Sequence, residues 1–520
     1  MRGSTVVVVA ALLALSLTAP VPVVAGERPL VEVKTTHFLV ISDARKETAR
    51  RLAGDLEAFH QVLEQRGHGL STRLPGPLVV LALRDRKSAD RWLGGMPGGP
   101  GAVAAWGRHP WVLSLAILVR ARNQDSTVTL QRAAMGLLLE LDHTRRPPWL
   151  REGLREYYGV LRVDGDAIDI GRPIQPYVEL LREGSLLPVR ELMTMDDEAV
   201  AALDPGRRLR FTAQSWLLVH WVFAGGYGHK QKLENLLDAL EDGEPFDRAF
   251  RRSFGYAPAR LDEFLRRYLT LRKLPWSRHH AGEPLVTEEP VLTLPANRDA
   301  VPRLAVLAAL SGRVQRGRAL LEALAAAPRR SPDARLAGDL LVELAGETPP
   351  PVAAGEARGG RGALFDFLVA RRLLLADPRS TRGRERLRDA VGEAPAYAAA
   401  WAALAGSLLA GDADEGAREE ATRALDLVVS LEGGSPVGVT ANGLAALLGG
   451  AKRFDPGKLP VVSDAAREAL LAGDRARVAA ELLAAVIRDA ARTRMTWHGA
   501  PRIPPRPPRY EYPVERGIRQ

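Results

Sequence analysis

The chain has 520 residues, of which 46% are hydrophobic and 26% charged, with a formal net charge of +10 and no cysteine. This length exceeds one ordinary domain, and this composition belongs to folded protein rather than to a disordered chain. The lack of cysteine excludes a disulfide framework, a thiolate nucleophile, a thiolate zinc site and an acylated cysteine anchor. The positive charge is mostly arginine, scattered along the chain. Arg207, Arg208 and Arg210, or Arg251 and Arg252, sit at helical spacing and read as solvated helix faces. Without interleaved aromatics or a recognisable module, no nucleic-acid partner is expected, only weak attraction to anionic envelope surfaces.

In chain order, Arg2 precedes an uncharged run whose most apolar part is Val6–Leu17, followed by Pro20, Pro22 and Val23-Val24-Ala25. This pattern predicts a cleavable signal over residues 1–25, because the prolines shorten the apolar helix below the ~20 residues that a span needs. No later stretch is apolar enough to span a bilayer. A mature chain without a transmembrane span, in the periplasm or secreted by a bacterium, is the expectation.

Val31–Ser42 alternates and is rich in β-branched residues, predicting a strand or a strand pair. Ala44–Arg66 is an amphipathic helix, Leu78–Leu83 a buried strand and Ser88–Leu93 a helix broken by the Gly/Pro cluster 94–101; Trp111–Val119 is a further strand. Then comes Thr127–Gly159, an apolar helix, a basic turn ending in Pro147–Pro148, and a second helix led by Trp149 that carries Glu152 and Glu156. Helices follow over Pro176–Glu183, from Leu187, over the aromatic Phe211–Ala224, and over Phe246–Leu269 with a stop at Gly255. A small sheet packed by helices gives an α+β first unit over residues 31–273.

Residues 274–302 hold several prolines and read as a linker or an extended arm. Residues 303–494 are Ala/Leu-rich and helical throughout, predicting an all-α second unit. Trp401, Leu404, Ala405 and Leu408, then Ala417, Ala421 and Ala424, match a tetratricopeptide helix pair, so a repeat-built solenoid and a generic bundle both stay open. The Pro-rich tail, 495–520, reads as a polyproline arm.

The words HFLVISDA (His37–Ala44), PPWLREGLREYYG (Pro147–Gly159), LPVREL (Leu187–Leu192), AQSWLLVHW (Ala213–Trp221), AFRRSFG (Ala249–Gly255) and LDEFLRRYL (Leu261–Leu269) occur in one order. Together they resemble the peptidase MA-like domains of exported bacterial proteins, relatives of the gluzincin metallopeptidases that are often followed by tetratricopeptide repeats. The resemblance covers about half the chain. It implies a zinc helix with His-Glu-x-x-His and a third, carboxylate ligand on the next helix. Here Gln131 stands at the first His, Arg132 at the general base and Met135 at the second His, whereas Glu152 retains the ligand-type carboxylate.

An amide and a thioether do not replace imidazole on zinc, and a guanidinium accepts no proton, so neither a catalytic set nor a bound metal is expected. A salt bridge from Arg132 to Glu152 is expected to stand in for the metal as a structural tie. Glu140 and His143 form an E-x-x-H pair that reads as surface polar groups. His220 reads as a satisfied buried histidine, and His279-His280 as an exposed pair.

The functional expectation is an exported, catalytically inactive peptidase-like protein that binds protein or peptide partners through its cleft and helical repeats. The alternative is a zinc metallopeptidase with an atypical site that includes Glu152, with His143 as a second ligand. Zinc is the cofactor under that alternative alone.

Overall fold

The computed structural model describes residues 30–499 apart from short internal stretches, the longest being 450–461, 351–361 and 95–103. Alternation along the first strands decides the layout. β1 (Val31–Lys34) and β2 (Phe38–Ser42) are the expected antiparallel pair, and β3 (Leu78–Leu83) lies parallel to β2. β5 (Val112–Leu118) is the strand expected from Trp111 and runs parallel to β3; the strand before it, β4 (Ala104–His109), has no clear signal in the sequence and pairs antiparallel with β5.

The helices before and within this part are α1 (Lys46–Arg66), α2 (Arg86–Leu93), α3 (Gln124–Leu141) and α4 (Pro148–Tyr158). A second, three-stranded sheet contains β6 (Arg162–Asp164), β7 (Ala167–Ile170) and β8 (Ser277–His280). The arm at 274–302 therefore supplies β8. It also supplies β9 (Val291–Thr293), which pairs with β1 at one edge of the main sheet. At the other edge β10 (Thr496–Gly499), at the start of the expected Pro-rich tail, pairs with β4. The resulting order is β10-β4-β5-β3-β2-β1-β9. The rest of the tail, 500–520, and the expected signal, 1–25, lie outside the described residues, as does His143.

Because side chains alternate across a strand, the sheet serves two cores at once. Val31, Val33, Val40, Val80, Ala82 and Trp106 face a core shared with α1, α3 and α4. Leu30, Ile41, Leu81, Leu83, Trp111 and Val112 face the opposite core, built with α2 and the C-terminal helices. Residues on both sides of the arm at 274–302 thus share one core. Trp111 makes this join specific: its Nε1 donates to the Val486 carbonyl at 2.9 Å, and its own carbonyl accepts from the Tyr397 hydroxyl at 2.7 Å.

Around α3 and α4 pack α5 (Gln175–Glu183), α6 (Val189–Thr194), α7 (Asp197–Ala201), α8 (Pro205–Ala224), α9 (His229–Glu241), α10 (Phe246–Phe254) and α11 (Pro258–Leu269). α8 starts cleanly because Asp204 accepts from the Gly206 and Arg207 amides and Pro205 takes the first helical position. From Phe211 to Val222 every residue of α8 is buried, and the polar side chains of Thr212, Gln214 and His220 within that stretch are hydrogen-bonded. α10 ends at Gly255, whose φ of +84° favours glycine.

The C-terminal helices are α12 (Asn297–Leu310), α13 (Val314–Ala325), α14 (Pro332–Leu344), α15 (Ala363–Ala376), α16 (Thr381–Glu393), α17 (Ala398–Leu409), α18 (Glu415–Glu432), α19 (Pro436–Gly449), α20 (Asp464–Leu471) and α21 (Arg475–Ile487). The pair singled out in the sequence is α17–α18, where Leu404, Ala405, Leu408, Ala421 and Ala424 are buried between helices in contact. α21 turns back to pack on α15, α17 and α19. Those contacts reach beyond nearest neighbours, which a simple stack of repeats does not require. The protein is mostly helical with a small mixed sheet, an α+β part followed by an all-α part. No helix among the described residues is long and apolar enough to cross a membrane.

Candidate functional site

α3 and α4 are joined through Pro147–Pro148, with Pro148 at the first turn of α4, where its missing N–H costs nothing. Gln131, Arg132 and Met135 of α3 are all buried, and so are Glu152 and Glu156 of α4. Of these, Arg132, Glu152 and Glu156 are brought together inside the protein. They form an ion-pair network.

Arg132 reaches Glu156, with Nη2 2.6 Å from Oε2 and side-chain exposures of 4% and 0%. The tie expected between Arg132 and Glu152 thus forms one helical turn further on. Glu152 is engaged by Arg155 from its own helix and accepts from the Thr212 hydroxyl of α8 at 2.7 Å. Arg155 also approaches Glu156 at 3.6 Å, and the Tyr177 hydroxyl of α5 donates to Glu156 at 3.0 Å. Two guanidinium groups balance two carboxylates, which is the condition for keeping such charges out of water.

The electrostatics follow from that enclosure. Burial pulls Arg155 down, but the carboxylates of Glu152 and Glu156 outweigh it and the net shift is upward. Burial, with the neighbouring Glu156 charge, pushes the Tyr177 hydroxyl well above its ordinary range, so it stays a donor. Among the described residues, Arg132 Nε, Arg155 Nε, Glu156 Oε1 and Gln131 Oε1 are buried without hydrogen-bond partners. Such atoms carry a desolvation cost that the ion pairs must offset.

Two glycines make the arrangement fit. A Cβ on Gly153 would lie 2.4 Å from the Ser215 carbonyl oxygen, so glycine lets α4 close onto α8. A Cβ on Gly159 would lie 2.3 Å from Arg132 Cγ, so the arginine stem crosses the end of α4 where there is no side chain.

The zinc that the resemblance implies does not fit these residues. The donors at its positions are an amide, a thioether in an apolar core and a carboxylate already held by a guanidinium, with a second guanidinium alongside. Such a set supports no metal-assisted step. Glu140 accepts from the Trp106 indole N–H at 2.9 Å. His220 is buried and satisfied, with Nδ1 3.0 Å from the Tyr268 hydroxyl and Nε2 2.9 Å from the Gly171 carbonyl. His279 and His280 lie on β8, half-buried and exposed respectively, with His280 3.2 Å from Asp166.

Sequence reasoning passes over Tyr177 and Thr212, which with Arg155 complete the network. Arg155 is legible as the i+3 neighbour of Glu152. Tyr177 and Thr212 come from separate helices, and nothing local marks them. No protein family, curated protein or solved structure matches the chain.

Proposed function

We propose that this is an exported, catalytically silent peptidase-like protein that serves as a binding or scaffold module for protein or peptide partners. The observation that carries the reading is the Arg132–Glu156 ion pair. A cation occupies the position where peptide hydrolysis by a zinc-bound water needs a general base. Arginine stays protonated and cannot take that water's proton. The neighbouring carboxylates are committed to cations rather than open to a metal.

What remains for function is surface. Over the shared apolar core, helices α16 and α18 carry exposed polar faces, an arrangement suited to holding partners without chemistry. Export from a bacterial cell rests on the N-terminal pattern of Arg2, Val6–Leu17 and Val23-Val24-Ala25.

The test is a peptide-hydrolysis assay on the full chain with zinc supplied, using a quenched-fluorescence peptide mixture. The reading predicts background rates, unchanged by Glu152→Gln. Hydrolysis that Glu152→Gln abolishes would overturn it.

A further inference from the structure

Away from the α3–α4 pair, a second group of side chains offers the imidazole and carboxylate donors that α3 lacks. His37 stands just before β2, and Glu57, His60 and Glu64 lie on successive turns of α1. One donor atom each from His37, His60 and Glu64 lies within 4.8 Å of the others.

The two imidazoles are each held by one nitrogen. His60 Nε2 is 2.8 Å from the Thr72 carbonyl, which can only accept, so Nε2 carries the proton and Nδ1 carries the lone pair. That Nδ1 is buried with no hydrogen-bond partner among the described residues, in a residue 1% exposed. Glu64 Oε1 lies 3.8 Å away, beyond hydrogen-bond reach. His37 Nδ1 is 2.6 Å from Glu57 Oε1, leaving Nε2 to face outward from that contact. A histidine fixed by a carbonyl or a carboxylate at its far nitrogen is the usual support of a metal ligand.

We propose that His37, His60 and Glu64 bind a divalent cation of the zinc class, with a fourth position left to water. Two imidazoles and one carboxylate are a recognised donor set for zinc with an open position. The buried Nδ1 lone pair gains a partner in the cation, where an unmet acceptor otherwise carries a desolvation penalty.

Zinc–ligand distances near 2.0–2.1 Å require tetrahedral donors roughly 3.4 Å apart, so the cluster must contract. The movement falls on the groups free to make it. The His37 side chain is 30% exposed and that of Glu64 46% exposed, whereas His60 is fixed. The His37 and His60 rings, stacked at 4.0 Å with 27° between their planes, must tilt apart for both lone pairs to converge.

Zinc titration calorimetry on the chelator-stripped full chain tests the proposal. One equivalent is expected, weakened at least tenfold by Glu64→Ala and by His37→Ala, and about 10–100-fold by Glu57→Gln through loss of the His37 support. Glu64 is exposed, so Glu64→Ala stays folded and keeps the test decisive where His60→Ala fails to fold. The visible spectrum of bound cobalt(II) should change in His37→Ala. No zinc binding by the native chain, or binding unchanged in both Glu64→Ala and His37→Ala, would overturn the site. Binding lost in Glu152→Gln but kept in Glu64→Ala would move the metal to the helix pair and overturn the proposed function instead.

Discussion

The guanidinium of Arg132 lies 2.6 Å from the carboxylate of Glu156, and neither side chain reaches solvent to any extent. The two come from helices joined by a double proline, and Gly159 clears the path of the arginine stem. Such a pair contributes little net stability over an apolar pair of the same volume, but breaking it is expensive.

Arg132→Leu leaves Glu156 with Arg155 at 3.6 Å and the Tyr177 hydroxyl as its remaining partners. The expected cost is about 3–5 kcal/mol, and Glu156→Leu should cost a similar amount by stranding Arg132. Arg132→Leu combined with Glu156→Leu should cost clearly less than the sum of the two. Denaturant midpoints of the three variants check this, and additive losses would show that the pair is not coupled.

Gly153 sits inside a helix, where alanine would ordinarily gain about 1 kcal/mol in helix propensity. Its missing Cβ is what lets α4 approach the Ser215 carbonyl. Gly153→Ala should therefore destabilise by about 1–3 kcal/mol despite the propensity gain, because the contact is with backbone that cannot rotate away. A melting temperature at or above that of the native chain would contradict the close α4–α8 packing.

His220 provides a pH dependence with a definite sign. Burial lowers its pKa from 6.5 to about 4, with the Gly171 carbonyl opposing the shift. It is flanked by Tyr157, Trp216 and Tyr268. The unfolded chain therefore binds a proton near pH 6.5 while the folded chain does not. Stability should fall as pH drops from about 6.5 to about 4, by up to about 3 kcal/mol from this residue. His220→Gln should be less sensitive across that window in melting experiments, and an unchanged slope would rule His220 out as a source.

The two-faced sheet makes a prediction about dissection. A fragment ending at residue 293 lacks the helices that cover Ile41, Leu81, Leu83 and Trp111, and it also lacks β10 beside β4. Each uncovered large side chain forfeits about 1.5–3 kcal/mol of burial. The fragment should be insoluble or bind a hydrophobic dye strongly. A soluble, cooperatively melting fragment would show that the first core is sufficient.

Much of this fold is legible locally. The alternation in Val31–Ser42 and the run Leu78–Leu83 mark three strands, and the α3–α4 helix pair is readable from its prolines and glycines. What escapes is non-local. β9 and β10 are short, and each is held as a strand by a distant partner rather than by its own pattern. Of the candidate residues, Arg132, Glu152 and Glu156 share one ion-pair network, but the arginine pairs one turn away from the carboxylate expected for it. Glu152 is three residues from Arg155, and that local arginine takes it first. The His37–His60 stack joins the residue before β2 to α1, and the i, i+4 spacing of His60 and Glu64 is its one local trace.

The central claim is that the α3–α4 helix pair holds a cation of its own and no metal. The most direct measurement is the zinc content of the native chain and of Glu152→Gln after both are equilibrated with excess zinc and freed of unbound ion. Equal zinc content in the two proteins is the predicted result, whereas loss of zinc from Glu152→Gln would place a metal ligand where Arg155 and Thr212 now hold the carboxylate, and would contradict the claim.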